Sequence, residues 1–399
     1  MRPRTLIHPL LLVILLSTLA APAAAITGTP SWKPRELVYD RAEFTSLDGS
    51  DRMLAYDHHG NPGLIYQDQN DGSLDYARRV PGVGWASVEI DPNGGTQPSL
   101  AFDRYERPAI AYRNTTSLRF AHFNGTTWQL QTADTSDAYE PALAFDILGR
   151  AAIAYGSLAP NYTLKYIRDT DGDFSFADET PVVVDSTMFT GFFQSLAFDP
   201  LNRPMIAHVE RPGFFEDVLK FSVEEPGIGW VTTIVDTNPS PFAVLPSVAI
   251  DPDSGYPAIA YGGGAAGLRF AAWNGDEWDL TTIDPTPDAG SQVSLAFDPA
   301  DGHPAISYED RDTMTLKFAW HNGSVWQTQT VETGILPIYQ SSLAFNDFGN
   351  GFPSIAYVDE FSDLYFIEDP PLAVPEPAAV VLLLAGLATV CRLRTDTTG

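Results

Sequence analysis

The residues of this chain best placed to do chemistry follow seven short strands, six of which end in tyrosine. Their identities change from one repeat to the next: Gln67 and Asp68, Arg113 and Asn114, Gly156, Glu210 and Arg211, Gly262 to Gly264, Glu309, Asp310 and Arg311, and Asp359. Acids and arginines gathered round one opening would hold a cation or a sugar. Two carboxylates at a set separation, with pKa values driven apart by their surroundings, would hydrolyse a glycosidic bond. Asp68, Glu210, Glu309, Asp310 and Asp359 form the pool for that reaction. Adjacent opposite charges such as Glu210 and Arg211 are equally at home on a solvated loop, so residue type alone does not decide.

Other chemistry-bearing residues divide in the same way. Tyr66, Tyr112, Tyr155, Tyr261, Tyr308 and Tyr357 recur at one place in the repeat, which points to core packing, and His208 replaces them in the fourth copy. A buried imidazole accounts for His208 as well as a ligand does, and His58-His59 lacks the spacing for a metal clamp from one element. Met188, Phe189, Phe192 and Phe193, with Phe214 and Phe215, form either an apolar patch for a partner or a loop core of their own. The acidic stretch Asp169-Thr170-Asp171-Gly172-Asp173 suggests Ca2+, the one cofactor hinted at, but glycine is fourth rather than sixth. Thr180 also occupies the place of the bidentate glutamate. No catalytic or metal-binding residue is assigned. Cys391, the single cysteine, excludes a disulfide and thiol chemistry in the body of the chain.

The elements that must position these residues are set by repetition. LAYD at Leu54, LAFD at Leu100, Leu143, Leu196 and Leu295, VAID at Val248 and LAFN at Leu343 recur at intervals of 43 to 53 residues. That period is one four-stranded propeller blade. In the second copy, PSLAFD, PAIAY, LRFAHFNG and WQLQTAD each alternate as strands do, with Asn124-Gly125 as a hairpin turn. The strand opened by tryptophan (Trp85, Trp128, Trp230, Trp278, Trp326) carries polar alternation and should be the outer, half-wet one. The seventh copy lacks it, while Ser31-Trp32 to Asp40 reads as a spare. Pairing the two predicts an all-β, seven-bladed propeller over residues 26–371, closed by an N-terminal clasp. Chain direction puts the second-to-third and fourth-to-first connections on one rim, the upper, where ligands of propellers usually bind.

Both ends speak of export. Arg2 and Arg4, the apolar run Leu10 to Leu19 and the exit Ala23-Ala24-Ala25 form a signal peptide over residues 1–25, so the mature chain is expected to begin near Ile26. Val374-Pro375-Glu376-Pro377 precedes an apolar helix, Ala378 to Val390, and a tail with Arg392 and Arg394. This arrangement resembles the PEP-CTERM sorting signal of Gram-negative bacteria. The resemblance implies transient anchoring in the inner membrane, processing by an exosortase-type enzyme, and delivery to the cell surface or exopolysaccharide matrix. A net charge of −28 argues against nucleic acid as a partner and suits a solvated extracellular surface.

The repeat itself, with strands ending Ala-x-Asp followed by Gly-x-Pro and Ile-Ala-Tyr, resembles secreted bacterial propellers of the sialidase-like kind. No intact Asp box and no arginine triad with a Tyr-Glu pair accompanies it. The expectation is therefore a non-enzymatic binding module for carbohydrate or another envelope protein. Candidate contacts are Asp68, Arg113, His208, Glu210, Arg211, Glu309, Asp310, Arg311, Asp359, Phe192 and Phe214. The alternative is a sialidase-like hydrolase working with carboxylates at the channel mouth.

Overall fold

The computed structural model describes residues 26, 29–40, 42–43, 52–158, 162–213, 216–237, 245–334, 340–346, 351–359 and 361–369. The signal peptide, the sorting tail and Phe214 lie outside them. Within them the chain is all β, arranged as seven antiparallel sheets round an axis. Blade 2 is representative: Thr96–Phe102, Pro108–Asn114, Ser117–Phe123 and Trp128–Asp134 run from axis to periphery. Blade 7 supplies Gln340–Phe345, Pro353–Val358 and Leu364–Glu368. Its fourth strand is Glu36–Tyr39, antiparallel to Leu364–Glu368 with Glu36 opposite Phe366. The clasp ladder is shorter than the expected 31–40 because Pro34 has no N–H to give it. Upstream, Lys33 N donates to Glu368 O (3.0 Å) and Ser31 N to Asp369 Oδ1 (2.8 Å).

Blade 1 departs from the repeat. Its innermost strand comes in two pieces, Ala42–Glu43 and Leu54–Tyr56, which pair with opposite ends of Pro62–Asp68. Alternation in the sequence did not reveal the first piece, since two residues carry no period.

Aromatic rings join the blades. The tryptophan opening each fourth strand meets, edge-on, the aromatic residue of the preceding blade's third strand: Trp85 on Phe366, Trp128 on Tyr76, Trp230 on Tyr166, Trp278 on Phe221 and Trp326 on Phe270. Trp32 of the clasp completes blade 7 by packing on Phe318 with centroids 5.2 Å apart. In blade 3, which has no such tryptophan, Phe176 fills the place against Phe120. It arrives from the acidic loop after Asp169, whose carboxylate caps Gly172 N (2.7 Å) and Phe174 N (3.0 Å).

Nearer the axis, serine hydroxyls seal five junctions. Ser342 accepts the amide of Leu54, Ser99 that of Leu143, Ser195 that of Val248, Ser247 that of Leu295 and Ser294 that of Leu343, at 2.9 to 3.2 Å. Each serine is buried, so its loss strands an amide without water to replace the acceptor. Ser247→Ala is expected to lower stability by about 1–3 kcal/mol in urea unfolding. A change within 0.3 kcal/mol would be at odds with this seal.

Candidate functional site

The repeat leads every second-strand tyrosine into the core. All six are fully buried, as their recurrence implied. Their hydroxyls do more than pack. Tyr112, Tyr155, Tyr261 and Tyr308 donate to Asp91, Asp134, Asp236 and Asp284, the last residues of the adjoining fourth strands. A third-strand cation joins several of these pairs: Lys165 Nζ is 3.6 Å from Asp134, Arg269 bonds Asp236, and Lys317 Nζ is 2.8 Å from Asp284. These Tyr–Asp–cation clamps under the upper rim were missed in the sequence, although an aspartate ending strand after strand was the signal.

The residues singled out after the second strands turn out to be engaged locally. Asp68 accepts from Tyr39 Oη of the clasp (2.5 Å) and caps Asn70 N (2.7 Å). Asp359 caps Phe361 N and Asp363 N. Arg113 reaches Asp137 at 3.3 Å, and Arg311 Nε donates to Glu309 at 3.1 Å. Glu210 and Asp185 share Lys220, at 2.6 and 2.9 Å from its Nζ. Asp310, fully buried, takes Lys317 at 2.6 Å. Against the penalty of burial, that ammonium holds Asp310 below the usual carboxylate range. His208 has no exposed surface and lies between Thr190 Oγ1 (3.2 Å) and Ser222 Oγ (2.9 Å). Burial pushes it down to about 3, so it is a neutral core imidazole at physiological pH. Asp68, Arg113 and Asp359 stand on separate blades. Glu210 with His208 and Glu309 with Asp310 form two distinct polar networks in blades 4 and 6.

One pair does converge. Arg211, held by Asp217 at 3.1 Å, lies over the rings of Phe192 and Phe193. Phe192 in turn packs with Tyr139 and Tyr162, and Tyr162 with Phe189. The aromatic insertion of blade 4 is therefore chiefly a loop core, with Met188 and Phe189 at its surface. Beneath it the first strands enter through left-handed residues, Gln97, Glu140 and Phe193 (φ 50 to 54°), at bulges. Gln97 Oε1 accepts from Glu140 N and Glu140 Oε2 from Phe193 N, a relay across blades 2 to 4.

The roomier sites are elsewhere. A central channel of about 610 Å³ is walled by the Leu-Ala-Phe segments of the first strands, Phe102, Phe145, Phe198 and Phe297 among them, with Arg52 and Asp146 as its charged side chains. On the lower rim, between blades 1 and 2, a groove of about 680 Å³ combines Tyr76, Phe102, Phe123 and Trp128 with Arg78, Asp57 and Glu106. Among the described residues the exposed Arg78 guanidinium makes no hydrogen bond or ion pair. His59 contacts Glu106 across the blade boundary. With Asp57 these two form a group whose ligand atoms lie within 4.8 Å, which reading His58-His59 as one element could not show. Asp169, Asp171 and Asp173 form a second such group, consistent with the Ca2+ reading but already used to shape the turn that delivers Phe176.

The chain is thus a seven-bladed β-propeller with a polar, aromatic-lined groove on its lower rim. No family model and no curated protein matches the sequence. Solved structures similar to it include an ulvan lyase of polysaccharide lyase family PL25, with a TM-score of 0.58 at 12% identity over 84% of this chain and 96% of that one. A chain of the mitotic checkpoint complex gives 0.59 at 14%, over 92% and 99%. The leech intramolecular trans-sialidase gives 0.46 at 12%, over 84% and 69%, too distant to weigh. A lyase and a cell-cycle assembly share this architecture, so the likeness defines the fold and leaves the chemistry to the residues.

Proposed function

We propose that the protein is an exported binding module which takes carbohydrate in the lower-rim groove between blades 1 and 2. The observation that carries this reading is the groove's composition: the partly exposed rings of Phe102, Phe123 and Trp128 for sugar rings, beside a guanidinium that has no hydrogen-bond or ion-pair partner among the described residues. In a chain of net charge −28, an exposed arginine lining the same groove as Trp128 suits a saccharide bearing an acidic group. The ulvan lyase, of like fold, was solved bound to -[GlcA(1-4)Rha3S]-. This location differs from the upper rim, where the variable residues are consumed by their own neighbours. The same pairing weighs against the hydrolase alternative, because Glu210 and Asp310 are tied to lysines rather than poised to give up a proton.

In this reading the signal peptide exports the chain. The Val374-Pro375-Glu376-Pro377 tail hands it to an exosortase-type enzyme, and the propeller works at the cell surface or in the exopolysaccharide. A glycan array probed with the mature protein, followed by titration of the best acidic oligosaccharide, tests the binding. Arg78→Ala is expected to weaken Kd by roughly 10- to 100-fold, the worth of a charge-assisted hydrogen bond, without shifting the unfolding midpoint. Unchanged affinity in Arg78→Ala, or turnover of chromogenic glycosides abolished by Asp310→Asn, would overturn the assignment.

A further inference from the structure

Six of the seven first strands end in aspartate at the lower rim: Asp57, Asp103, Asp146, Asp199, Asp251 and Asp298. In blades 2, 3 and 4 an arginine four residues on, Arg107, Arg150 or Arg203, places its Nε 2.7 Å from the carboxylate. The third strand adds His122 to Asp103 at 3.0 Å and Arg168 to Asp146. Blade 6 has neither: its turn is one residue longer, so His303 stands in the arginine's place, its carbonyl accepting from Asp298 N as that of Arg107 does from Asp103 N, but its ring pairs with Asp301 at 2.9 Å, and Trp320 replaces His122 and Arg168. Asp298 is nevertheless as buried as its counterparts, 2% exposed against 1% for Asp103 and 2% for Asp199. Asp251, in blade 5, also lacks an arginine but is partly exposed and closed off by Ser254 Oγ at 2.8 Å.

What Asp298 does have is the main-chain nitrogen of Ile26, which donates to Oδ2 at 3.1 Å, while Ala300 N donates to Oδ1 at 2.8 Å. The Ile26 side chain packs with Trp32 against the core shared by blades 6 and 7. Pro30 O then accepts from Gln329 Nε2 at 3.1 Å, continuing the attachment towards the clasp. With neutral amides as its hydrogen-bond donors, Asp298 is pushed up by burial to about 6, with Asp301 adding to the rise and His303 opposing it. Ile26 is also the residue after Ala23-Ala24-Ala25, the small-residue exit of the leader.

We infer that the mature chain begins at Ile26 and that its free α-ammonium is the missing cation of blade 6, docking on Asp298 where blades 2, 3 and 4 use arginine. Within an uncleaved chain this nitrogen is an amide, with one N–H and no charge. Hydrolysis of the Ala25–Ile26 peptide bond by the signal peptidase, with water as co-reactant, leaves the carboxylate on Ala25 and the amine on Ile26. That amine is protonated at neutral pH. A buried carboxylate that was costly to ionise then gains an ion-pair partner. Removal of the leader therefore fastens the clasp that closes the ring. The inference rests on the export reading proposed above, and on none of the carbohydrate reading.

Two measurements test it. Intact mass and N-terminal sequencing of the exported protein should give Ile26 as first residue, and any other start overturns the inference while leaving groove binding untouched. Next, chains beginning at Ile26 and at Ala25 are compared with Asp298 intact and as Asp298→Asn. The Ile26 chain should unfold about 2–4 °C higher, and the difference should vanish in Asp298→Asn. Equal midpoints with Asp298 intact, or a difference surviving Asp298→Asn, would refute it. Because Asp298→Asn also removes the acceptor of Ala300 N and can perturb folding by itself, acylation of the Ile26 amine is followed by mass spectrometry in the native protein. Protection of at least about tenfold relative to the same amine in urea is expected, and reactivity equal to that of the unfolded chain counts against the pair.

Discussion

Trp32→Ala is expected to destabilise the propeller by about 3–5 kcal/mol in urea unfolding, the range for deleting a large aromatic from a packed site. Trp32 is the seventh member of a ring of edge-on contacts, and it lies on the one blade whose fourth strand is contributed from the other end of the chain. The clasp is also tied across the junction with blade 1. Arg79 bonds Glu36 and Glu368 at 2.7 and 3.1 Å, Trp85 Nε1 donates to Glu36, and Tyr39 donates to Asp68. Unfastening Trp32 therefore loosens two blade interfaces at once. A chain starting at residue 41 would go further, leaving Leu364–Glu368 as an open edge, and should self-associate in light scattering. A loss below 0.5 kcal/mol for Trp32→Ala would mean that the clasp merely decorates a ring closed by other contacts.

The architecture was legible because it is written seven times. Period, strand alternation and the spare segment around Trp32 each pointed to the same closed ring. Blade 3 was less legible: Phe176 replaces tryptophan from within a loop whose acids suggested Ca2+, and a single substitution of that kind has no period to betray it. The candidate site fared worse for a physical reason. Residues that vary between blades carry the right chemistry for a ligand, yet most of these charges have a counter-charge close by, Arg113 with Asp137, Arg211 with Asp217 and Glu309 with Arg311, while Asp68 and Asp359 are spent on neighbouring hydroxyl and amide donors. The groove, by contrast, joins Tyr76 and Arg78 of one blade to Phe123 and Trp128 of the next. Each of those residues read alone is an ordinary strand residue, and only the packing of two blades makes them a site.

Lys317→Met should cost about 3–5 kcal/mol at pH 7, and less at pH 5. One ammonium serves both Asp284 and Asp310. Although burial works against ionisation, hydrogen bonds from Lys317 and Thr286 bring Asp284 down to about 2, and Asp310 is lowered likewise. Carboxylates depressed in the folded state stabilise it fully above their unfolded value, near 4, and lose that contribution as the pH falls towards 2. Lys317, burial notwithstanding, is raised above 10.5 by the same two acids, so its contribution persists until the pH passes that value. The wild-type contribution is thus flat between pH 5 and 7. With methionine in place of Lys317, two carboxylates share a site with no cation, and mutual repulsion and burial drive the pKa of at least one upward. Protonation then relieves the site, so the loss relative to the wild type should be smaller at pH 5 than at pH 7. Urea midpoints at the two pH values give the comparison. A loss of the same size at both would indicate that Lys317 contributes packing, and that the two acids find other partners when it is gone.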